Sequence, residues 1–233
     1  MIYKKPSPKT SNSISPKPRT TSSSKSSDKG GEKQAPRLDY NLINMSFDQV
    51  REELTQLIRE KSLFEKDSIL PSGRITGNYL DLKESLLSAR GAYLASMAIL
   101  HNLKDEVEAI GGSMDKTYSL AVSVSQLAFL SGLEIDSFYV KEGEAVRTFG
   151  HSRWIEGPLR PGARVCVVQD QIISGQRVIE TIRRLQEEAD AQIVQVIAIV
   201  DRQDGARIRL QEYGVDFTSI ITMDDILDYA PAM

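Results

Sequence analysis

Residues 165–178, VCVVQDQIISGQRV, combine side-chain types that could handle a ribose phosphate. Apolar and small residues run into Gln169 and Asp170, a short loop holds Ser174 and Gly175, and a helical pattern follows. A carboxylate at a strand end can accept hydrogen bonds from sugar hydroxyls. A small loop that opens a helix offers a phosphate its backbone N–H groups and the positive end of the helix dipole. The plain alternative is an ordinary strand–turn–helix connection with one glycine. GGSMDKT, at 111–117, has the outline of a phosphate loop, but Asp115 stands where a glycine must precede the lysine. Cys166 sits inside an apolar run and reads as a small core residue, not a reactive thiol. One cysteine and two histidines, His101 and His151, argue against a disulfide framework, a multi-thiolate zinc site, a multi-histidine metal centre and a Ser–His–acid arrangement.

Such groups need a scaffold, and the hydrophobic pattern predicts one. A helix is expected over 42–63, where Phe47, Val50, Leu54, Leu57 and Ile58 recur at three- and four-residue spacing behind Ser46 as N-cap. The stretch 69–82, ILPSGRITGNYLDL, reads as a turn-rich hairpin. Helices are expected over 90–103, 119–130, 178–188, 207–213 and 223–229, the last with Asp224 and Asp225 at its favourable N-terminus. Strands are expected over 107–112, 135–140, 163–170, 192–201 and 217–222. Repeated strand–helix units with near-continuous apolar strands predict an α/β fold, a parallel sheet covered on both faces. Ligands in such sheets bind beyond the carboxyl ends of the strands. Four places follow: 111–116, 140–144, 169–176 and 201–207.

The chain has 233 residues, 40% hydrophobic, with a net charge of −3. No apolar run approaches the ~18 residues of a spanning helix, so no membrane partner is expected. The charge is unevenly spread. Residues 1–38 hold nine Lys and Arg against Asp28 and Glu32, a net of +7, which leaves −10 for the remaining 195 residues. The first segment also holds five of the nine prolines and a Ser/Thr run at 20–27. It cannot bury enough apolar surface to offset its ordering entropy and is expected to be a disordered tail on a folded domain of 39–233. Its prolines oppose an amphipathic targeting helix, and nucleic acid is not expected as a partner except through this basic tail. The single cysteine and the missing signal-type apolar stretch fit a cytoplasmic protein, which makes the sequon at Asn44–Ser46 incidental.

Beyond these patterns, the body resembles the orotate phosphoribosyltransferases, a type I phosphoribosyltransferase family. The resemblance spans 46–228 in ordered blocks. LIREKSLFEKDSILPSGRITGNYLDLKESLLSARGAYL is similar to the family's N-terminal region, and EAIGGSMDKTYSLAVSVS to its strand and loop at the pyrophosphate end. WIEGPLRPGARVCVVQD, VIAIVDRQDGAR and TSIITMDDIL resemble its later motifs. The resemblance implies a parallel sheet flanked by helices with a small N-terminal hood. It also implies transfer of ribose 5-phosphate from phosphoribosyl pyrophosphate to orotate in pyrimidine synthesis, assisted by Mg2+, in a homodimer with a mobile loop.

Carried over residue by residue, the resemblance assigns catalytic positions to Asp170, Lys141 and Lys116, and substrate contacts to Gln169, Ser174, Gly175, Gln176, Arg202 and Arg147; Arg177 is new to the motif and is expected either to attract a phosphate or to face solvent. It assigns no protein ligand to Mg2+, which the substrate would hold. The motif also departs from the family's. Gln169 replaces the first of two acids, Ile173 a threonine, and Gln176 a second small residue. Val140 replaces the loop arginine, Glu144 or Arg147 falls on its second lysine, and Pro71 stands where many members carry lysine. His151 does not restore the loop's histidine–glycine pair. The expectation is therefore a homologue of reduced or lost activity, a pseudoenzyme kept as a nucleotide-binding or regulatory module. An active enzyme, or one of shifted substrate, is the alternative.

Overall fold

A computed structural model describes residues 44–70, 72–73, 75–142 and 154–229, without the side chains of 68, 76, 115 and 116. The expected tail, Pro71, and Glu144, Arg147 and His151 of the loop lie outside the described residues.

Helix α1 (Phe47–Ser62) starts where its capping box predicts. Ser46 Oγ accepts from Gln49 N at 3.3 Å, while Gln49 Oε1 accepts from Ser46 N at 2.9 Å. Strands β1 (Leu63–Ile69) and β2 (Ile75–Leu80) form an antiparallel hairpin as a separate two-stranded sheet, its second strand inside the expected 69–82 stretch and its first strand before it. Helices α2 (Lys83–Leu86) and α3 (Ala89–Asn102) lead to the main body. There follow β3 (Ala109–Ser113), α4 (Met114–Leu130), β4 (Asp136–Val140), β5 (Ile155–Glu156), β6 (Arg164–Ile172) and α5 (Gln176–Ala189). The chain continues through β7 (Gln192–Asp201), α6 (Ala206–Glu212), β8 (Phe217–Thr222) and α7 (Met223–Leu227).

The main sheet has the order β5-β4-β3-β6-β7-β8. Every neighbouring pair is parallel except β4 with the short edge strand β5. Alternation along the strands builds two cores. Val165, Val167, Val196 and Ala198 pack with Ile182 and Leu185 of α5 and Leu210 of α6. Cys166, Val168, Ile197 and Ile199 pack with Leu94 and Ala98 of α3, Val124 of α4, and Leu54 and Ile58 of α1. Burial on both faces is why these strands read as unbroken apolar runs.

Three local expectations need correction. Helix α4 begins at Met114, not at 119, so the 111–116 stretch is strand running directly into helix, and Thr117 Oγ1 donates to Ser113 O at 2.7 Å in its first turn. Strand β6 runs two residues past Asp170, because Gln171 and Ile172 still pair with Val200 and Asp201. Strand β5 and the four-residue α2 were too short to leave a periodic signal.

Candidate functional site

The carboxyl ends of β3, β4, β6 and β7 converge as the sheet rule requires. Gly111 and Gly112, just before the end of β3, lack side chains for a steric reason. A Cβ on Gly112 would meet Val168 O and Thr117 Oγ1 at 2.5 Å, and one on Gly111 would strike Phe138. Ser113 is thus the first side chain that β3 presents beyond the two glycines.

Two cavities open at these ends. The first, about 190 Å³, is walled by Ser113, Glu142, Gln169, the 171–178 stretch and Thr181. The second, about 570 Å³, lies against the hairpin and α4, between Tyr79, Tyr118, Asp170 and Arg202. Gln171 and Ile173 belong to both and form the partition between them. Gly175 opens α5 with φ of 77°, a left-handed conformation that favours glycine, and no side chain caps the helix. The N–H groups of the first turn therefore lack intrahelical acceptors.

Of the expected residues, Gln169, Ser174, Gly175, Gln176 and Arg177 line the smaller cavity. Gln169 is 6% exposed, and its amide has no hydrogen-bond partner among the described residues. Arg177 is exposed and has no ion-pair partner among them. Asp170 and Arg202 line the larger cavity. Asp170 Oδ1 accepts from Gln171 N at 2.7 Å. Arg202 is buried, its backbone N–H donating to Ile172 O at 2.9 Å and its guanidinium to Gln171 Oε1 at 3.3 Å.

Lys141 does not join these groups. Its Nζ lies 2.6 Å from Glu156 Oε1, and it lines a different cavity of about 170 Å³ with Arg177 and Arg184. Lys116 stands in the first turn of α4, but its side chain lies outside the described residues. Arg147 lies outside them altogether.

Glu142 and Gln171 are the residues that sequence reasoning missed. The Ser113 hydroxyl donates to Glu142 Oε1 across 29 positions, which brings a carboxylate to the cavity wall. Only the rule that strand ends carry ligands pointed near it. Burial pushes the Cys166 thiol far up, consistent with an inert core residue.

Among the described residues, Asp170 and Asp81 are the carboxylates of the larger cavity. Among the described residues no cluster of three or more His, Cys, Asp or Glu side chains could hold a metal. No helix among them is long and apolar enough to cross a membrane. The arrangement fits a ligand with a phosphate at the first turn of α5, a sugar over Gln169–Gln171 and a flat group under the hairpin.

No family model matches the chain. Curated relatives do. The orotate phosphoribosyltransferase of Tropheryma whipplei is 32% identical over 197 residues, covering 84% of this chain and 91% of that one. The enzyme of that name from Thermosynechococcus vestitus is 33% identical over 188 residues, 80% and 98% of the two chains. Among solved structures, Mycobacterium tuberculosis orotate phosphoribosyltransferase in complex with Fe(III) dicitrate matches with a TM-score of 0.64 at 27% identity, over 76% of this chain and 98% of that one. Sequence relatives across nearly their whole length and a shared fold agree, and this chain belongs to the orotate phosphoribosyltransferase family.

Proposed function

We propose that this family member binds a ribose-phosphate ligand across the two cavities but transfers the phosphoribosyl group slowly or not at all, serving as a nucleotide-binding or regulatory module. The carrying observation is Gln169: a neutral, buried amide faces the cavity where the family pattern has an acid. An amide cannot balance positive charge developing at the sugar. Losing one preorganised charge stabiliser costs about 10²–10³ in rate. Lys141 compounds the loss, since its ammonium is held by Glu156.

Mg2+ fits this donor set only as a companion of the ligand. Such ions commonly take one or two carboxylates plus substrate phosphates. Asp170 is the carboxylate that would face it, and the ion would supply charge neutralisation to the phosphate oxygens. The site then orients the sugar through Asp170 and Gln171 and receives the phosphate at the first turn of α5.

An active orotate phosphoribosyltransferase of pyrimidine synthesis is the second reading. It is favoured by Arg202 and Asp170, which still face the larger cavity together. Orotate consumption, followed by ultraviolet absorbance with the full chain, Mg2+ and phosphoribosyl pyrophosphate, separates the two. The first reading expects no turnover above the Asp170→Asn background. Turnover that vanishes in Asp170→Asn establishes the second.

The protein also acts as a homodimer in this reading. Phe64, Ile69, Ile75 and Tyr79 are exposed on a two-stranded hairpin, and a hairpin without further cover is marginally stable. A monomer mass by light scattering at micromolar concentration would refute the dimer.

A further inference from the structure

We infer that Gln171 is a positioning residue that aims the Arg202 guanidinium into the larger cavity and thereby makes the site prefer a nucleotide whose base bears a carboxylate. The inference rests on the ribose-phosphate reading above and gives Gln171 a second role beside the sugar.

The sheet brings the two residues together. Gln171 pairs with Val200 in the parallel β6–β7 register, and Ile172 pairs with Asp201. The Arg202 N–H then donates to Ile172 O at 2.9 Å, so the main chain holds one residue against the other where both strands end. Side chains alternate along a strand, which puts Gln169 and Gln171 on one face of β6 and Asp170 on the other. Gln169 lines the smaller cavity and Asp170 the larger, while Gln171 lines both. A group at the boundary can answer to a ligand in either.

The side-chain contact has a fixed sense. A guanidinium only donates, so the amide oxygen of Gln171 must face it, and Oε1 accepts from Arg202 Nη1 at 3.3 Å. A long arginine side chain gives up much rotamer freedom when a ligand orders it, and a partner already in place lowers that cost. Arg202 is buried yet lines the larger cavity, where little water screens its charge. Gln171 holds it with a neutral oxygen and adds no negative charge of its own. A carboxylate in that place would hold the guanidinium equally well and oppose an anionic ligand. The planar fork of an arginine matches a carboxylate through two parallel N–H bonds. Tyr79 and Tyr118 line the same cavity and suit a flat ring.

Isothermal titration calorimetry on the full chain with Mg2+ tests this with three probes. Orotidine 5′-monophosphate carries a base carboxylate, uridine 5′-monophosphate lacks it, and ribose 5-phosphate has no base. Wild type is expected to bind the first at least about tenfold more tightly than the second. Gln171→Met keeps the length of the side chain and removes the acceptor. It should reduce that ratio by about tenfold and move ribose 5-phosphate by less than about twofold. Gln171→Glu keeps an acceptor but adds a charge, and should also bring the ratio down toward one. Matching melting curves establish that the variants are folded. A ratio unchanged from wild type in either variant overturns the inference alone, as does equal affinity of wild type for the two nucleotides. A parallel loss of all three probes in Gln171→Met shows a merely structural role and overturns it too. Failure of both nucleotides to bind wild type overturns the ribose-phosphate reading and this inference with it.

Discussion

Strands β6 and β7 lie side by side, and each runs into a helix through a left-handed glycine with no side-chain cap: Gly175 with φ of 77° and Gly205 with φ of 96°. The two turns are otherwise built to opposite ends. After β7, Asp201 and Gln203 find partners within the fold. Asp201 Oδ1 accepts from Gln203 N at 2.8 Å, and Asp201 Oδ2 lies 3.9 Å from Arg207. Gln203, itself left-handed at φ of 56°, exchanges hydrogen bonds with Asp224 at 2.7 and 3.0 Å and so fastens the turn to α7. After β6 the Gln169 amide and the Arg177 guanidinium lack such partners among the described residues. This second turn borrows support from the first, through Arg202 on Gln171 and Arg209 on Ser174 O at 2.6 Å. One turn holds the fold so that the other can keep unsatisfied groups for a ligand, the division expected where function costs stability.

The sharpest test of that division removes a partner from the satisfied turn. Asp201→Ala is expected to cost about 2 kcal/mol, since it strips a buried charged acceptor from the Gln203 N–H. Urea unfolding reads this directly. Next, Gly175→Ala and Gly205→Ala should each lose about 1 kcal/mol, because both force a Cβ into left-handed backbone. Only Gly175→Ala should also weaken nucleotide binding, and an equal loss in both would erase the contrast. Gln169→Met should leave stability within about 0.5 kcal/mol of wild type, because an unpartnered amide gives up nothing to an apolar replacement. Calorimetry should nonetheless show weakened binding.

The mildest test is pH. Burial raises the Asp225 carboxyl, but bonds from the Thr222 N–H and hydroxyl and the Arg51 guanidinium at 2.7 Å outweigh it, so the group sits below its ordinary 3.8. A lowered carboxyl stabilises fully above its unfolded value and loses that contribution as pH falls through the folded one. The melting temperatures of wild type and Asp225→Asn should thus differ at neutral pH, begin to draw together below about pH 4 and meet only below the lowered folded value.

Much of the frame was legible because its causes are local. The runs at 192–201 and 217–222 match β7 and β8 to the residue, since strands covered on both faces leave little polar interruption. Ser46 marked the start of α1 through a capping box contained in four residues. The start of α4 was hidden because Met114–Thr117 carries no apolar period, and its entry is set by the close packing of Gly112 on Thr117. The same divide runs through the site. Gln169–Arg177 was visible as a contiguous motif. Glu142 was not, because the serine that aims it lies 29 residues away. The commitment of Lys141 to Glu156 across a β4–β5 pairing was equally invisible, as two-residue strands leave no pattern.

The Arg184–Trp154 stack also has a practical use. Trp154 is the single tryptophan of the chain and stands at the return from 143–153, with a guanidinium 3.9 Å from its ring centre. Arg184 in turn grips the backbone of Lys141, at the departure of the same stretch. The protein thus carries a built-in optical reporter wired to both ends of one segment. Excited at the indole band, with no label attached, its emission should register any ligand that rearranges that stretch.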